Sequence, residues 1–221
     1  MSGYGQFCPV AKAMEVLDQR WTLLVIRELL AGSTRFNELR RGVPKMSPAL
    51  LSTRLRSLQR AGLVDRFDVG GAPEYRLTQA GRELSGVVEG LASWGLKWVP
   101  DLGEEDLDPH LLMWDIHRTV PVEQWPRQRT VVEFRFDDLT GRGAAWWLVV
   151  NDGETDICET DPGFEVAATV RTRLGALIRI WRGDTSWSSA LRDEAVSIIG
   201  PPAVRRALPS WIGHSVFAAT A

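Results

Sequence analysis

Ser47-Pro48-Ala49-Leu50-Leu51-Ser52-Thr53-Arg54-Leu55-Arg56-Ser57-Leu58-Gln59-Arg60-Ala61-Gly62 is the stretch that decides the reading of this chain. A proline at the first helical position loses no hydrogen bond, because that amide has no partner anyway, and the Ser47 hydroxyl is placed to cap the next free amides. The spacing therefore predicts a helix that begins at Pro48. Leu51, Leu55 and Leu58 recur at i, i+4 and i+7, one stripe that must be buried, and Gly62 stands where a helix stop is expected. Ala49, Ser52, Thr53, Arg56 and Arg60 fall on the opposite face. Small and hydroxyl side chains near the N-terminus let a helix approach base edges closely, and an Arg further along reaches a guanine or a phosphate. An ordinary amphipathic helix with solvated arginines has the same pattern, so the neighbours decide.

Upstream, Arg35-Phe36-Asn37-Glu38-Leu39-Arg40-Arg41 reads as a short helix with Phe36 and Leu39 inward, and Gly42 to Met46 reads as a turn. From Arg35 to Arg60 there are seven cations against one acid, Glu38, on a chain of net charge −2. That local excess suits phosphate, since each neutralised phosphate releases counterions. Downstream, Leu63 to Phe67 and Glu74 to Thr78 alternate like strands around Gly70-Gly71, a hairpin turn. Thr78 then caps an expected long helix whose Leu84, Val87, Val88, Leu91, Trp94 and Trp98 form an apolar stripe, more than a small domain needs to cover itself. Helix, turn, basic helix and hairpin in this order are how a winged helix-turn-helix reads. The DNA-contacting candidates are Arg35, Lys45, Ser47, Pro48, Ala49, Ser52, Thr53, Arg54 and Arg56, with Arg66 and Arg76 from the hairpin.

These residues resemble the HxlR-type family of bacterial transcription regulators. The resemblance rests on Cys8-Pro9-Val10, Trp21 to Leu30, Gly32, Arg35-Phe36-Asn37-Glu38-Leu39, Ser47-Pro48, Leu51, Arg54-Leu55, Leu58, Gly62-Leu63-Val64, Tyr75-Arg76-Leu77-Thr78, Gly81 and Trp94-Gly95. It covers about the first hundred residues, one domain of usual size. It implies a homodimer that pairs through the N-terminal segment and the helix after the wing, and that binds a palindromic operator in double-stranded DNA. Val10, Met14, Leu84, Val88, Leu91 and Trp94 are the implied dimer contacts. In some family members the N-terminal Cys, here Cys8, senses oxidants or electrophiles through its thiolate; a small buried thiol near a helix start is the commoner case. One departure concerns the wing. Family wings tend to be longer, with prolines and a basic residue before the Tyr-x-Leu-Thr segment, whereas this chain has Val69-Gly70-Gly71-Ala72-Pro73-Glu74.

Length and charge call for a second domain. At 221 residues the chain exceeds a winged helix by enough for another core, and the acidic run from Pro100 to Pro109 is a plausible linker between domains at 1–99 and 110–221. The first 97 residues carry 14 Lys and Arg against 9 Asp and Glu, net +5, and the remainder is net −7. A nucleic-acid surface is therefore expected in the first half and not in the second. The second half reads as strands followed by helices, an α+β domain. Val132, Phe134 and Phe136 alternate with Glu133 and Arg135, and Ala144 to Val150 is a near-continuous apolar run. Strands are also expected at Glu154 to Cys158, Glu165 to Val170 and Ala195 to Ile199. Helices are expected at Leu174 to Trp181, Trp187 to Leu191 and Pro201 to about Leu208.

This half is similar to a sterol-carrier-protein domain in Asn151-Asp152-Gly153, Asp161-Pro162-Gly163, Val170-Arg171-Thr172, Leu177 to Gly183 and Ala207 to Ile212. The resemblance implies a sheet with helices over one face and an apolar cavity for a lipid-like molecule. The expected α/β sandwich places Phe134, Phe136, Trp146, Leu148, Leu177 and Trp181 as ligand contacts; the same aromatics also suit a solid core, and the two readings stand level.

Other chemistry is thin. Two distant cysteines, with no signal peptide and no apolar run long enough to span a membrane, fit a reduced cytoplasm without disulfides. Asp156 and Glu159 beside Cys158 disfavour its thiolate. His110, His117 and His214 have no ligand spacing for a metal, and Gly141-Arg142-Gly143 lacks the Lys-Ser/Thr of a phosphate loop. No nucleophile and base stand at telling spacing, so neither an enzyme nor a cofactor is expected. Two function classes remain: a DNA-binding regulator, controlled by an apolar small molecule if the pocket exists, and a lipid carrier whose basic N-terminal block contacts a protein.

Overall fold

The structure is a computed structural model that describes residues 3–99 and 101–218. Pro100, which opens the expected linker, and the chain ends Met1 and Ala221 lie outside the described residues. Two compact units, Met1–Trp94 and Gly95–Ala221, divide the chain within a helix.

In the first unit, α1 (Pro9–Leu17) and α2 (Thr22–Leu30) are joined by a turn in which Trp21 has φ 79°. Helix α3 (Phe36–Gly42) follows, its N-terminal amides of Thr34 and Arg35 both donating to Glu38 Oε2 at 2.9 Å. Helix α4 (Pro48–Arg60) begins at the expected residue, with Ser47 Oγ accepting from the Leu50 amide at 3.3 Å. It ends in a two-bond stop. Gly62 N–H donates to Gln59 O and Leu63 N–H to Leu58 O, both at 3.0 Å, around Gly62 at φ 71°. That geometry is left-handed and suits glycine, which has no Cβ to clash. Leu51, Leu55 and Leu58 are buried with Ile26 and Leu39. Beneath α3, the fully buried Glu28 pairs with Arg27 at 2.8 Å, and the same Arg27 nitrogen donates to the Gly42 carbonyl at 2.8 Å.

The hairpin is β1 (Val64–Val69) paired antiparallel with β2 (Ala72–Leu77), the register ending at Val69 opposite Ala72. Gly70 and Gly71 both have positive φ, 63° and 79°, as a two-residue hairpin loop with matching twist requires. The long helix expected after Thr78 is instead two: α5 (Gln79–Arg82) and α6 (Ser85–Trp98). The first turn is tethered to the hairpin base, with Thr78 Oγ1 accepting from Gly81 N at 3.2 Å and Arg82 Nη1 donating to Leu77 O at 2.7 Å. Helix α6 is free of those ties and takes its own phase.

The second unit opens with α7 (Pro109–Thr119), capped by Asp108 Oδ1, which accepts from His110 N at 2.9 Å. Its sheet contains β3 (Thr130–Phe136), β4 (Ala145–Asn151), β5 (Glu154–Cys158), β6 (Ala168–Thr172) and β7 (Val196–Ile199), in the order β5-β4-β3-β6-β7. Only the central β3 and β6 run parallel. Helices α8 (Leu174–Arg182), α9 (Trp187–Arg192) and α10 (Pro202–Ile212) complete it. Val132, Phe134, Phe136, Leu148 and Val170 share one core with Leu177, Trp181 and Trp211. Indole donors stitch that core together: Trp181 Nε1 to Asp115 Oδ2 and Trp125 Nε1 to Trp211 O are both 2.7 Å.

The second unit differs from expectation in its sheet and in its last helix. Glu133 is buried, 6% exposed, because Arg135 and Thr169 Oγ1, each at 2.8 Å, take up its carboxylate. The fourth strand starts at Ala168 and not at Glu165, and α10 continues through Pro209 to Ile212. Pro209 has no N–H to give the Arg205 carbonyl, and the helix continues past it for three residues, the Pro209 carbonyl accepting from Gly213 N at 3.1 Å.

Candidate nucleic-acid interface

Helix α4 exposes Ala49, Thr53, Arg56 and Arg60 and half-buries Ser52, the face opposite its leucines. At this surface Thr53 Oγ1 donates to Ala49 O at 3.0 Å and accepts from Arg56 Nη2 at 3.1 Å. Arg56 thus lies along its own helix, held by one neutral hydroxyl that a base edge or phosphate oxygen can replace at small cost. Ser47, Pro48 and Lys45 are exposed at the head of the same helix. Glu38, the single acid of the block, has an oxygen committed to two backbone amides, which turns the local charge excess outward.

Arg54 does not join this face. It is 8% exposed and donates from Nη2 to the Arg20 carbonyl at 3.2 Å, so it packs α4 against the α1–α2 turn. Burial pushes its guanidinium below the ordinary value, with the Asp18 charge acting the other way. The other arginines of the expected set are accessible but not all unengaged. Glu74, 8% exposed, accepts from Arg76 Nη2 at 2.8 Å and lies 3.6 Å from Arg35 Nε, while Arg66 is exposed on β1. An isolated bridge between Arg35 and Glu74, with Tyr75 N–H on Thr34 O at 2.8 Å, docks the hairpin on the start of α3. The sequence reading missed Glu74 as the partner of both cations; its place two residues before Arg76 on a strand was the available signal.

Of the expected dimer contacts, Val10, Met14, Leu91 and Trp94 are exposed, Leu84 is half-buried and Val88 is buried within its own unit. The exposed stripe of α6 is Val87, Leu91, Trp94 and Trp98, at i, i+4, i+7 and i+11. Cys8 is half-buried at the head of α1.

Phe134, Phe136, Trp146, Leu148, Leu177 and Trp181 all belong to the buried core of the second unit, and none lines either of the two surface cavities described below. Burial, and after it the Asp156 charge, raises the Cys158 thiol above its ordinary value. Among the described residues no three His, Cys, Asp or Glu side chains gather as a metal site requires, and no helix is long and apolar enough to cross a membrane.

Residues 16–102 match the HxlR-like helix-turn-helix family. An uncharacterized HTH-type transcriptional regulator of Mycobacterium bovis is 43% identical over 96 residues, 41% of this chain and 59% of that protein. The chain thus spans little more than half the length of that relative. The uncharacterized HTH-type transcriptional regulator YvaP of Bacillus subtilis is 35% identical over 98 residues, 42% of this chain and 91% of that protein. Among solved structures, the reduced form of the transcriptional regulator YodB from B. subtilis is 28% identical with a TM-score of 0.38, covering 44% of this chain and 100% of that one. The Mycobacterium and YvaP relatives are both named as transcriptional regulators. A lipid carrier with a protein-binding basic block is therefore the weaker of the two function classes. From the order of its elements, the exposed basic face of α4 and a relative matched over nine-tenths of its length, this chain belongs to the HxlR-like helix-turn-helix family of transcriptional regulators.

Proposed function

We propose that the chain is a homodimeric regulator that binds a palindromic operator in cytoplasmic double-stranded DNA, with α4 in the major groove. The observation that carries this reading is the outer face of α4, where small and hydroxyl side chains precede Arg56 and no acid intervenes. Ala49, Ser52 and Thr53 approach base edges, Arg56 reads a base, and Arg35, Lys45, Ser47, Pro48, Arg66 and Arg76 meet the backbone. Homodimer formation is supported by the exposed apolar stripe Val87, Leu91, Trp94 and Trp98. Selection of bound duplexes from a random pool, followed by footprinting, tests the proposal. A symmetric site of two half-sites about one helical turn apart is expected; retention of random duplexes without enrichment overturns it.

A second element is ligand control through a sterol-carrier-like C-terminal unit. The support is a surface cavity of about 460 Å³ at the start of α8, walled by Leu102, Leu107 and Ala176 and edged by Arg173 and Arg179. It falls in the size range of small-molecule sites, roughly 300–1,000 Å³. Mass spectrometry of compounds that co-purify with the full chain, with melting in the presence of palmitate, tests this element. An apo preparation whose melting palmitate leaves unmoved overturns it.

A further inference from the structure

A smaller cavity of about 230 Å³ lies between the end of α1 and the second half of α4, with Arg60 of the outer face at its rim. Two of its lining polar groups are sequestered without a partner. The Thr22 hydroxyl, in a residue 1% exposed, and Nε of Arg54 make no hydrogen bond among the described residues. Both atoms are buried in residues that line the cavity, and a buried donor left unmet costs more than a made bond returns. The far end of the guanidinium is already fixed on the Arg20 carbonyl.

The charges around the cavity favour an anion. Arg60 adds a second guanidinium at its rim. The opposing acid that lines it, Glu15, is neutralised by Lys12 Nζ at 3.0 Å and accepts from the Tyr4 amide at 3.1 Å. Asp18, near Arg54, accepts from the Tyr4 hydroxyl at 2.8 Å. Val16, Leu58 and Ala61 supply an apolar wall. Acceptor oxygens at one end and a short apolar body at the other describe a small organic carboxylate.

We infer that this cavity binds a small organic carboxylate, with Arg54 Nε and Thr22 Oγ1 donating to its oxygens and Val16, Leu58 and Ala61 packing its body, and that occupancy sets the position of α1. Helix α1 buries none of its residues and joins α2 through Trp21 at φ 79°, a conformation a bulky side chain rarely adopts. Its placement is therefore lightly held and open to a ligand that bridges it to α4. Because α1 also carries Val10 and Met14, occupancy alters dimer geometry and with it DNA affinity; this last step rests on the proposed function, whereas binding does not.

The test uses the full chain and sodium benzoate at constant ionic strength, followed by calorimetry and thermal melting, with benzamide as the uncharged analogue of the same shape and inorganic phosphate as the anion without a body. Benzoate is expected to bind at least about tenfold more tightly than either. Thr22→Val, which keeps the volume and removes an unmet hydroxyl, is expected to leave melting of the free protein unchanged or higher while weakening benzoate about tenfold. Ala61→Leu, filling the apolar end, is expected to abolish binding. Equal binding of benzoate and benzamide, no binding at all, or full benzoate affinity in Thr22→Val overturns the site. Tighter phosphate than benzoate overturns the organic ligand class. Benzoate binding with unchanged DNA affinity overturns the coupling to α1, and benzoate binding by a protein that selects no operator overturns the proposed function and leaves the site standing.

Discussion

The carboxylate of Glu74 accepts a hydrogen bond from Arg76 Nη2 at 2.8 Å. The same buried side chain lies 3.6 Å from Arg35 Nε, so one acid on β2 holds in check a cation of the hairpin and a cation of the helix that supports α4. Glu74→Gln removes the charge and keeps the shape. Both arginines are more than half exposed, so their release costs the fold little. Non-specific affinity for duplex DNA is expected to rise, and the salt dependence to steepen by about one in log–log slope, as one more phosphate is neutralised. Fluorescence anisotropy across a salt series reads both; an unchanged slope refutes the role of Glu74 as a brake.

Arg56→Ala is expected to weaken operator binding by about 1–3 kcal/mol and to leave random duplexes nearly unaffected, while Arg35→Ala weakens both alike. The difference follows from position, since Arg56 lies on the outer face of α4 and Arg35 at the head of α3. Equal losses for both variants on both duplexes would show that Arg56 reads no base.

Leu91→Asp and Val88→Asp should part company although the residues are neighbours on α6. Leu91 is 50% exposed and Val88 8%. The first substitution is expected to yield a folded monomer, because a charge in an apolar seam between subunits is strongly unfavourable; the second is expected to unfold the unit. Sedimentation and circular dichroism distinguish these results, and a wild type that is monomeric at micromolar concentration rules out the seam.

A Cβ at Gly42 would collide with the Glu28 carboxylate, which is fully buried and bonded to Arg27. Gly42→Ala must displace that pair or bend α3, and a loss of about 1–3 kcal/mol is expected in urea unfolding. Gly86→Ala, where a Cβ meets open space in α6, is the matched control and should be neutral or stabilising.

Burial and Asp156 both raise the Cys158 pKa, so less thiolate exists at neutral pH than on a free cysteine. Iodoacetamide at pH 7.5 should modify Cys158 more slowly than cysteine in solution. Its rate should climb with pH through and beyond the ordinary thiol range. Peptide mass spectrometry of a pH series checks this; a rate that levels off below pH 8 contradicts it.

The N-terminal fold was legible because its signals are local. Ser47-Pro48 starts α4, Gly62 stops it, and Gly70-Gly71 turns the hairpin, each through backbone chemistry that needs no distant partner. The inward turn of Arg54 was less so, yet helical geometry sets it about 60° around from Leu51, at the edge of the apolar stripe. Val88 belongs to the expected stripe, but it stands about 100° around α6 from Val87, on the edge that is buried, and spacing alone does not say which edge of a wide stripe is covered. Helix α7 carries the same start signal as α4, with Asp108-Pro109 repeating the cap and proline of Ser47-Pro48. Glu133 reads as a solvent-facing residue from alternation alone; only the parallel neighbour β6, which brings Thr169 beside it, explains its burial.

The corner at Gly62 and Leu63 acts as a ruler. The Gly62 carbonyl accepts from Thr78 Oγ1 at 2.7 Å, the Leu63 carbonyl accepts from Thr78 N at 3.0 Å, and Gly81 rests flush against that second carbonyl. The end of α4, both strand bases and the start of α5 are thus clamped at one point. Bending of the hairpin is left to its tip. On the proposed function, a gap of fixed length between the helix and the hairpin requires DNA to bring its grooves to this spacing, and favours sequences that widen or narrow readily at that interval, at base pairs no side chain touches.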